Sequence, residues 1–183
     1  TQYKGDKWFF DEFADRDPRL YDNIDPAGLR IEGSGVVAYA ATGYFAHLFV
    51  NPSLLNVPGG MSSTNITDAP VMKYNEVLMN YIEAAAELAD MGAYTLTQND
   101  FDKTINAVRN RPSTSMPAVT LAGTNLAVNG ITINDPDRDK GTMIAGDYEV
   151  SPILWEVRRE RRTELPYQGI RFDDLRRWGK LHY

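Results

Sequence analysis

The chain has 183 residues, 43% of them hydrophobic, which suffices for one domain of ordinary size with an apolar core. Its net charge of −6 argues against nucleic-acid binding through neutralised phosphates, and its lack of cysteine excludes disulfides, cysteine nucleophiles and thiolate metal sites. The longest apolar stretch, 36–50, is interrupted by polar residues and falls short of the ~20 residues that span a bilayer.

Residues 1–70 are rich in turn signals such as Asp17-Pro18 and Asp25-Pro26. Short helical or extended pieces are predicted between the turns, at Phe9–Ala14 and Val36–His47. The chain opens without methionine and closes directly after a helical pattern, so we expect it to be a piece of a longer polypeptide.

A helix is predicted over residues 71–92, where apolar residues recur at three- and four-residue spacing and Gly92 marks the end. The apolar stripe predicted to face the core consists of Met72, Val77, Leu78, Tyr81, Ile82, Ala85, Leu88 and Met91.

A second helix is predicted to start at Thr97, where Asp100 completes a capping box, and to end before Pro112. Phe101, Ile105 and Val108 mark its inner face. The two helices form an αα-hairpin about as long as a tetratricopeptide repeat, roughly 34 residues. Such repeats bury their faces on neighbours, so we expect further repeats in residues 1–60 or outside the chain.

Residues 112–150 lack a long periodic run and are predicted to form a long loop, apart from a strand-like Ile131–Ile133. Ser151 followed by Pro152 is a helix start, because serine caps the helix and proline suits its first position. That helix ends near Pro166 and Gly169, and a short last helix holds Phe172, Leu175 and Trp178.

Several stretches resemble motifs of the SusD/RagB family, in the right order and over most of residues 17–180. Residues 76–84, EVLMNYIEA, are similar to its EVLLNYAEA helix, and residues 105–111, INAVRNR, to its INxLRxR helix. Residues 156–178 resemble EIRRERRxELxxEGxRxxDLxRW, although residues 166–168 depart from that pattern. Residues 17–20 fit its upstream DPRL.

The resemblance implies an all-α fold in which a tetratricopeptide-like helical scaffold carries long loop-rich insertions. The chain then forms the C-terminal part of a single SusD-like domain. Its segments are a loop-rich ligand face (1–70), a helical hairpin (71–111), a long loop (112–150) and closing helices (151–180).

The resemblance also implies a non-catalytic function, without a cofactor. Proteins of this family capture oligosaccharides or peptides at the surface of a Gram-negative outer membrane and deliver them to a SusC-type TonB-dependent transporter. Their lipid anchor belongs to an N-terminal part that this chain does not include. A second hypothesis is a tetratricopeptide-like scaffold that binds a protein or peptide along a concave helical face.

The candidate ligand residues lie in the first segment, since sugar rings present flat apolar faces to aromatic side chains and amides bond their hydroxyls. We select Trp8, Tyr39, Tyr44 and Asn51, with Asn56 as a further amide. The alternative is that these aromatic residues are core, because large aromatic side chains are usually buried.

Four arginines between residues 158 and 162 alternate with glutamates at helical spacing, which predicts ion pairs on the helix surface more readily than a nucleic-acid site. Arg161 falls on the apolar side of its helix. We predict that it is partly buried and paired to Glu83 or Glu87, as part of the architecture.

Two other chemistries have weak support. Glu83 with Glu87, or Asp173-Asp174, would be the carboxylates of a glycoside hydrolase, the third hypothesis. The acidic loop 135–141 faintly resembles a calcium loop, but its glycine is misplaced and its twelfth position is not glutamate. The two histidines, His47 and His182, have no partner motif for zinc.

Overall fold

The computed structural model describes residues 17–19, 70–134 and 150–181, and the backbone of four short strands between residues 24 and 46. The chain divides into two compact units, residues 1–72 and 73–183. Among the described residues, no helix is both long and apolar enough to cross a bilayer.

The first unit contains two antiparallel strand pairs. Strand β1 (Ile24–Asp25) pairs with β4 (Phe45–Ala46), and β2 (Arg30–Ile31) pairs with β3 (Gly35–Val36). Upstream of them, the buried Arg19 donates from Nη2 to Asp17 Oδ2 at 2.7 Å. This ion pair connects the aspartate and the arginine of the Asp-Pro-Arg sequence across one proline.

The second unit begins with helix α1 (Tyr74–Asp90), followed by the short helices α2 (Gln98–Asp102) and α3 (Ile105–Arg109). Three strands follow: β5 (Val119–Ala122), β6 (Asn125–Val128) and β7 (Ile131–Thr132). Helices α4 (Pro152–Glu164) and α5 (Arg171–Arg177) complete the unit, and α4 packs lengthwise on α1.

The face of α1 that is buried differs from the predicted stripe. Met79, Ile82, Glu83 and Ala86 lie against the rest of the unit and are at most 2% exposed. Of the predicted stripe, Ile82 and Ala85 are buried, whereas five members are 44–76% exposed: Met72, Val77, Tyr81, Leu88 and Met91. The prediction was wrong because α1 has apolar residues on two sides. The side that is buried also includes Glu83, which hydrophobicity alone would assign to the solvent-exposed surface.

The predicted second helix is interrupted. Residues 103–104 separate α2 from α3, and Thr104 leaves helical geometry with φ −122° and ψ −93°. The capping box at Thr97 and Asp100 is present, as predicted. Phe101 and Ile105 are fully buried, so the inner face of the pair is confirmed despite the break.

The all-α prediction holds for the helices but not for residues 119–132, which form a three-stranded antiparallel meander inside the predicted long loop. Both hairpins have two-residue turns. Asn129 (φ 52°) and Gly130 (φ 76°) are both left-handed, as a type I′ turn requires, and Gly123 (φ 66°) opens the other turn. Asn-Gly is the strongest short-range hairpin signal in a sequence, so this turn was predictable from residues 129–130 alone.

The outer edge of β5 is covered by side-chain amides. Asn106 accepts from the Val119 amide at 2.7 Å and donates to its carbonyl at 2.9 Å. Gln98 accepts from the Leu121 amide at 2.7 Å. These two amides replace a neighbouring strand, so they attach the sheet to α2 and α3 and leave its edge unavailable for pairing.

The start of α4 is as predicted. The Ser151 hydroxyl accepts from the Leu154 amide at 3.1 Å, and Pro152 occupies the first helical position. Leu154, Val157 and Leu165 are at most 3% exposed, so the predicted apolar side faces inward.

Candidate functional site

Glu83, in the middle of α1, is 2% exposed and accepts hydrogen bonds from two residues near the C-terminus. Trp178 Nε1 donates to its Oε1 at 2.7 Å, and Arg177 Nη2 donates to its Oε2. Two further guanidinium groups approach it, with Nε of Arg158 at 3.6 Å and Nε of Arg161 at 3.5 Å. Four side chains from two other helices therefore converge on this one buried carboxylate.

Three helices supply the charges around Glu83, because helical spacing places each pair on one face. Helix α1 contributes Glu83 and Glu87, α4 contributes Arg158 and Arg161, and α5 contributes Asp174 and Arg177. With Trp178, these residues are called the Glu83 cluster below.

Asp174 is the closest carboxylate partner of Arg161. Its Oδ2 accepts from Arg161 Nε at 2.9 Å, and its Oδ1 accepts from Arg177 Nη2 at 2.9 Å. Arg161 is 4% exposed and also donates from Nη1 to Asn80 Oδ1 at 2.6 Å. Glu87 instead pairs with Arg158 at 3.0 Å and with Arg177 at 3.7 Å.

The Glu83 cluster holds carboxylates and guanidinium groups in equal number, so its formal charge is zero. Burial lowers the pKa of Arg177, but the hydrogen bond and the charge of Glu83, aided by Asp174, outweigh it and raise that pKa above its ordinary value. The Trp178 ring is surrounded by guanidinium carbons of Arg158 at 4.8 Å and of Arg171 and Arg177 at 5.2 Å. The ring therefore adds cation–π attraction to the ion pairs.

An open hollow of about 210 Å³ borders the cluster. It is lined by Asn80, Glu83, Ala84, Glu87 and Arg177. The side chains of Glu87 and Arg177 are 35% and 41% exposed, so this is the side on which the cluster meets solvent.

The glutamates of the arginine-rich helix are also buried, contrary to the predicted surface ion pairs, whereas Arg159 and Arg162 are half-buried. Glu160 and Glu164 are at most 4% exposed. Glu160 pairs with Arg109 of α3, and Glu164 pairs with Arg111 at 2.8 Å. The Arg159–Glu156 pair at 2.8 Å stays within the helix. Most of these charges therefore connect elements that are distant in sequence.

A smaller polar group surrounds the buried Asp100. Tyr81 and Tyr94 each donate a hydroxyl to its Oδ1 at 3.0 Å, and the Thr97 amide donates to its Oδ2 at 2.8 Å. Burial raises the pKa of Asp100, but the bonds from Thr97 and the tyrosines outweigh it and lower that pKa below its ordinary value. The bonds to Tyr81 and Asp100 raise the pKa of Tyr94 to about 12.

The predicted ligand residues Trp8, Tyr39, Tyr44 and Asn51, with Asn56, lie outside the described residues, as does the acidic loop 135–141. Their roles stay predictions. In the part of the chain that the structure describes, no three His, Cys, Asp or Glu side chains are grouped as a metal site requires.

The carboxylates considered for hydrolysis are poorly arranged for it. A general acid needs a proton that it can donate to a substrate oxygen in a cleft. Both oxygens of Glu83 and both of Asp174 accept from nitrogen donors, and both residues are buried. Asp173 is exposed on α5. These hydrogen bonds and ion pairs hold three helices together.

Arg177 and Trp178 as partners of Glu83, and Asp174 as the partner of Arg161, are not among the residues predicted from the sequence. Their signal was present, because all three lie in the stretch 156–178 that carries the family resemblance. Its arginines, glutamates and aspartates alternate in a pattern that is also typical of solvated helices, so the pattern did not reveal which of them meet α1.

Comparisons with known proteins agree with this architecture. A sequence model of the SusD family matches residues 32–182. The chain is similar to the crystal structure of a SusD-like carbohydrate binding protein from Bacteroides fragilis NCTC 9343, with 29% identity and a TM-score of 0.54. The similarity covers 98% of this chain and 32% of that one, so the chain spans about a third of that protein's length. No curated protein matches it. The family match extends over most of the chain, and the chain belongs to the SusD family.

Proposed function

We propose that this chain is part of a non-catalytic protein that captures glycans at the outer surface of a Gram-negative cell. The observation that carries the proposal is membership of the SusD family, together with similarity to a SusD-like carbohydrate binding protein. In this proposal a lipid anchor outside the chain holds the protein on the outer membrane, and a SusC-type TonB-dependent transporter receives the ligand.

The Glu83 cluster supports a binding function through rigidity. Its ion pairs join α1, α4 and α5 over long sequence separations and are largely buried, so relative movement of these helices would leave charges unpaired. A rigid frame reduces the entropy lost when a ligand binds to loops attached to it. In this proposal capture uses a preformed surface and includes no chemical step.

The ligand face is proposed to lie in residues 1–70, with Trp8, Tyr39 and Tyr44 stacking on sugar rings and Asn51 bonding a hydroxyl. Isothermal titration calorimetry of the natural polypeptide against a panel of oligosaccharides tests this. Alanine at each of these positions is expected to weaken binding. Phe172→Ala is the matched control, because that aromatic side chain is 63% exposed and belongs to the second unit.

The rival functions predict other outcomes. A glycoside hydrolase would release new reducing ends when the polypeptide is incubated with the bound glycan, and we expect none. A peptide-binding scaffold would show heat of binding with peptides and none with any oligosaccharide of the panel. Full affinity after all four alanine substitutions would show that the ligand face lies elsewhere.

A further inference from the structure

The turn between β6 and β7 combines two residues that react with each other in water. Asn129 is the one asparagine in the sequence that is followed by glycine. Asn129 and Gly130 form the two-residue turn of the hairpin, and both are exposed. The side-chain amide of the first and the backbone nitrogen of the second therefore lie next to each other at the surface of the second unit.

Neither reacting group is held by the rest of the hairpin. In a turn of this kind the closing hydrogen bond joins the first and fourth residues, here Val128 and Ile131, so the Gly130 nitrogen is not part of the ladder. Glycine has no Cβ that would keep a neighbouring group away from its nitrogen. Within the described residues, no hydrogen bond restrains the Asn129 side chain. The turn therefore leaves both groups available for reaction.

Other asparagines of the second unit are restrained. Asn75 donates to Glu164 at 2.6 Å, and Asn80 accepts from Arg161 at 2.6 Å. Asn106 bonds the β5 edge from α3. All three lie in helices, whose backbone is fixed by its own hydrogen bonds. Asn129 differs from them in its side chain, its backbone and the residue that follows it.

The strand after the turn is held by few contacts. Strand β7 has two residues, Ile131 and Thr132, and both are exposed. The opposite edge of the sheet is bound by Gln98 and Asn106, so the attachment of the meander does not depend on β7. Brief opening of the hairpin tip breaks few hydrogen bonds and exposes little apolar area, and its free-energy cost is therefore small.

We propose that Asn129 is a site of spontaneous deamidation in the folded protein, with the Gly130 nitrogen as the attacking group. That nitrogen forms a bond to Cγ of Asn129 and loses its proton. The bond from Cγ to the side-chain nitrogen breaks, and this nitrogen leaves as ammonia. The product is a cyclic imide, which water opens at either of its two carbonyl carbons. One opening gives aspartate and the other gives isoaspartate, and no atom is oxidised or reduced in either step.

The two products have different effects on the meander. Aspartate followed by glycine suits the same left-handed turn, so the hairpin stays closed and gains a negative charge. Isoaspartate lengthens the main chain by one methylene group, so the connection is no longer a two-residue turn. The pairing of Val128 with Ile131 is then lost, together with the 2.8 Å bond from the Ile133 amide to the Leu126 carbonyl. The damage is confined to β7, because the bonds at the β5 edge are unaffected.

Peptide mass spectrometry of the natural polypeptide, sampled during incubation in mildly alkaline buffer, tests the proposal. Asn129 is expected to convert several-fold faster than Asn110, an exposed asparagine that is followed by arginine. Both isoaspartate and aspartate are expected as products, because a cyclic imide opens at two carbons. Incubation in urea is expected to speed the conversion only several-fold, since the tip already opens in the folded protein.

Hydrogen exchange measured on the separated products tests the structural effect. The Ile133 amide is expected to exchange several-fold faster in the isoaspartate form than in the unmodified protein. Freshly purified Asn129→Asp is the matched control, and its Ile133 amide is expected to exchange as in the wild type. The Val119 amide, which Asn106 holds at the other edge, is expected to exchange equally in all three proteins.

Four results would overturn the proposal. Conversion of Asn110 before Asn129 would show that the turn is not the reactive site. Aspartate as the sole product would exclude attack by the Gly130 nitrogen. A rate that rises by orders of magnitude in urea would show that the folded turn prevents the reaction. An Ile133 amide that stays protected in the isoaspartate form would show that β7 does not depend on the two-residue turn.

Discussion

Replacing Glu83 by Gln tests whether the Glu83 cluster holds the second unit together. The substitution keeps the shape of the side chain but removes the charge that faces Arg158, Arg161 and Arg177. Asp174 and Glu87 remain, so three guanidinium groups, two of them buried, then share two carboxylates.

The expected loss is large. Breaking a buried ion pair by removing one partner costs about 3–5 kcal/mol, because the other charge stays buried without compensation. Arg158 and Arg161 are 3% and 4% exposed, so water cannot replace the lost carboxylate. A domain of this size is stable by roughly 5–15 kcal/mol. The substitution therefore removes a major part of the stability and lowers Tm by roughly 10 °C.

The measurement is urea unfolding followed by far-ultraviolet circular dichroism, with tryptophan fluorescence as a second probe of Trp155 and Trp178. Glu87→Gln is the matched control, one turn further along α1. Its side chain is 35% exposed, so its pairs are partly screened, and about 1 kcal/mol or less is expected. If both variants lose the same small amount of stability, the Glu83 cluster does not hold the helices together.

Three further predictions concern the polar groups around α2 and α3. The ultraviolet difference between the wild type and Tyr94→Phe should titrate near pH 12, and a midpoint at the ordinary value of about 10 would contradict the bonds to Tyr81 and Asp100. Because the pKa of Tyr94 is higher in the folded protein than in the unfolded chain, its neutral hydroxyl contributes to stability. This contribution is complete below about pH 10 and is lost as the pH rises towards 12. Asp100→Asn should destabilise the protein at neutral pH. Because the pKa of Asp100 is lowered in the folded protein, the difference in stability between this variant and the wild type should shrink as the pH falls below about 4. A difference in stability that does not change with pH would refute this. Asn106→Ala should cost about 1–3 kcal/mol and speed hydrogen exchange at the Val119 amide, whereas Asn110→Ala, on an exposed residue, should do neither.

Local signals in the sequence predicted several helix boundaries correctly. Serine followed by proline starts α4, and threonine with aspartate three residues later starts α2, because these side chains satisfy amides that have no partner at a helix start. The turn at Asn129-Gly130 belongs to the same class and was available from the sequence, since its two positive φ angles suit those residues.

The sequence by itself determined the family, the positions of the main helices and the inner face of α2 and α3, because these depend on residues close together in the chain. Tertiary structure decided which side of α1 is buried and which carboxylates meet the arginines of α4. Glu83 and Trp178 are 95 positions apart. Their contact depends on how three helices pack. The spacing of apolar residues cannot predict it, because a charged side chain is buried only where other helices supply its partners.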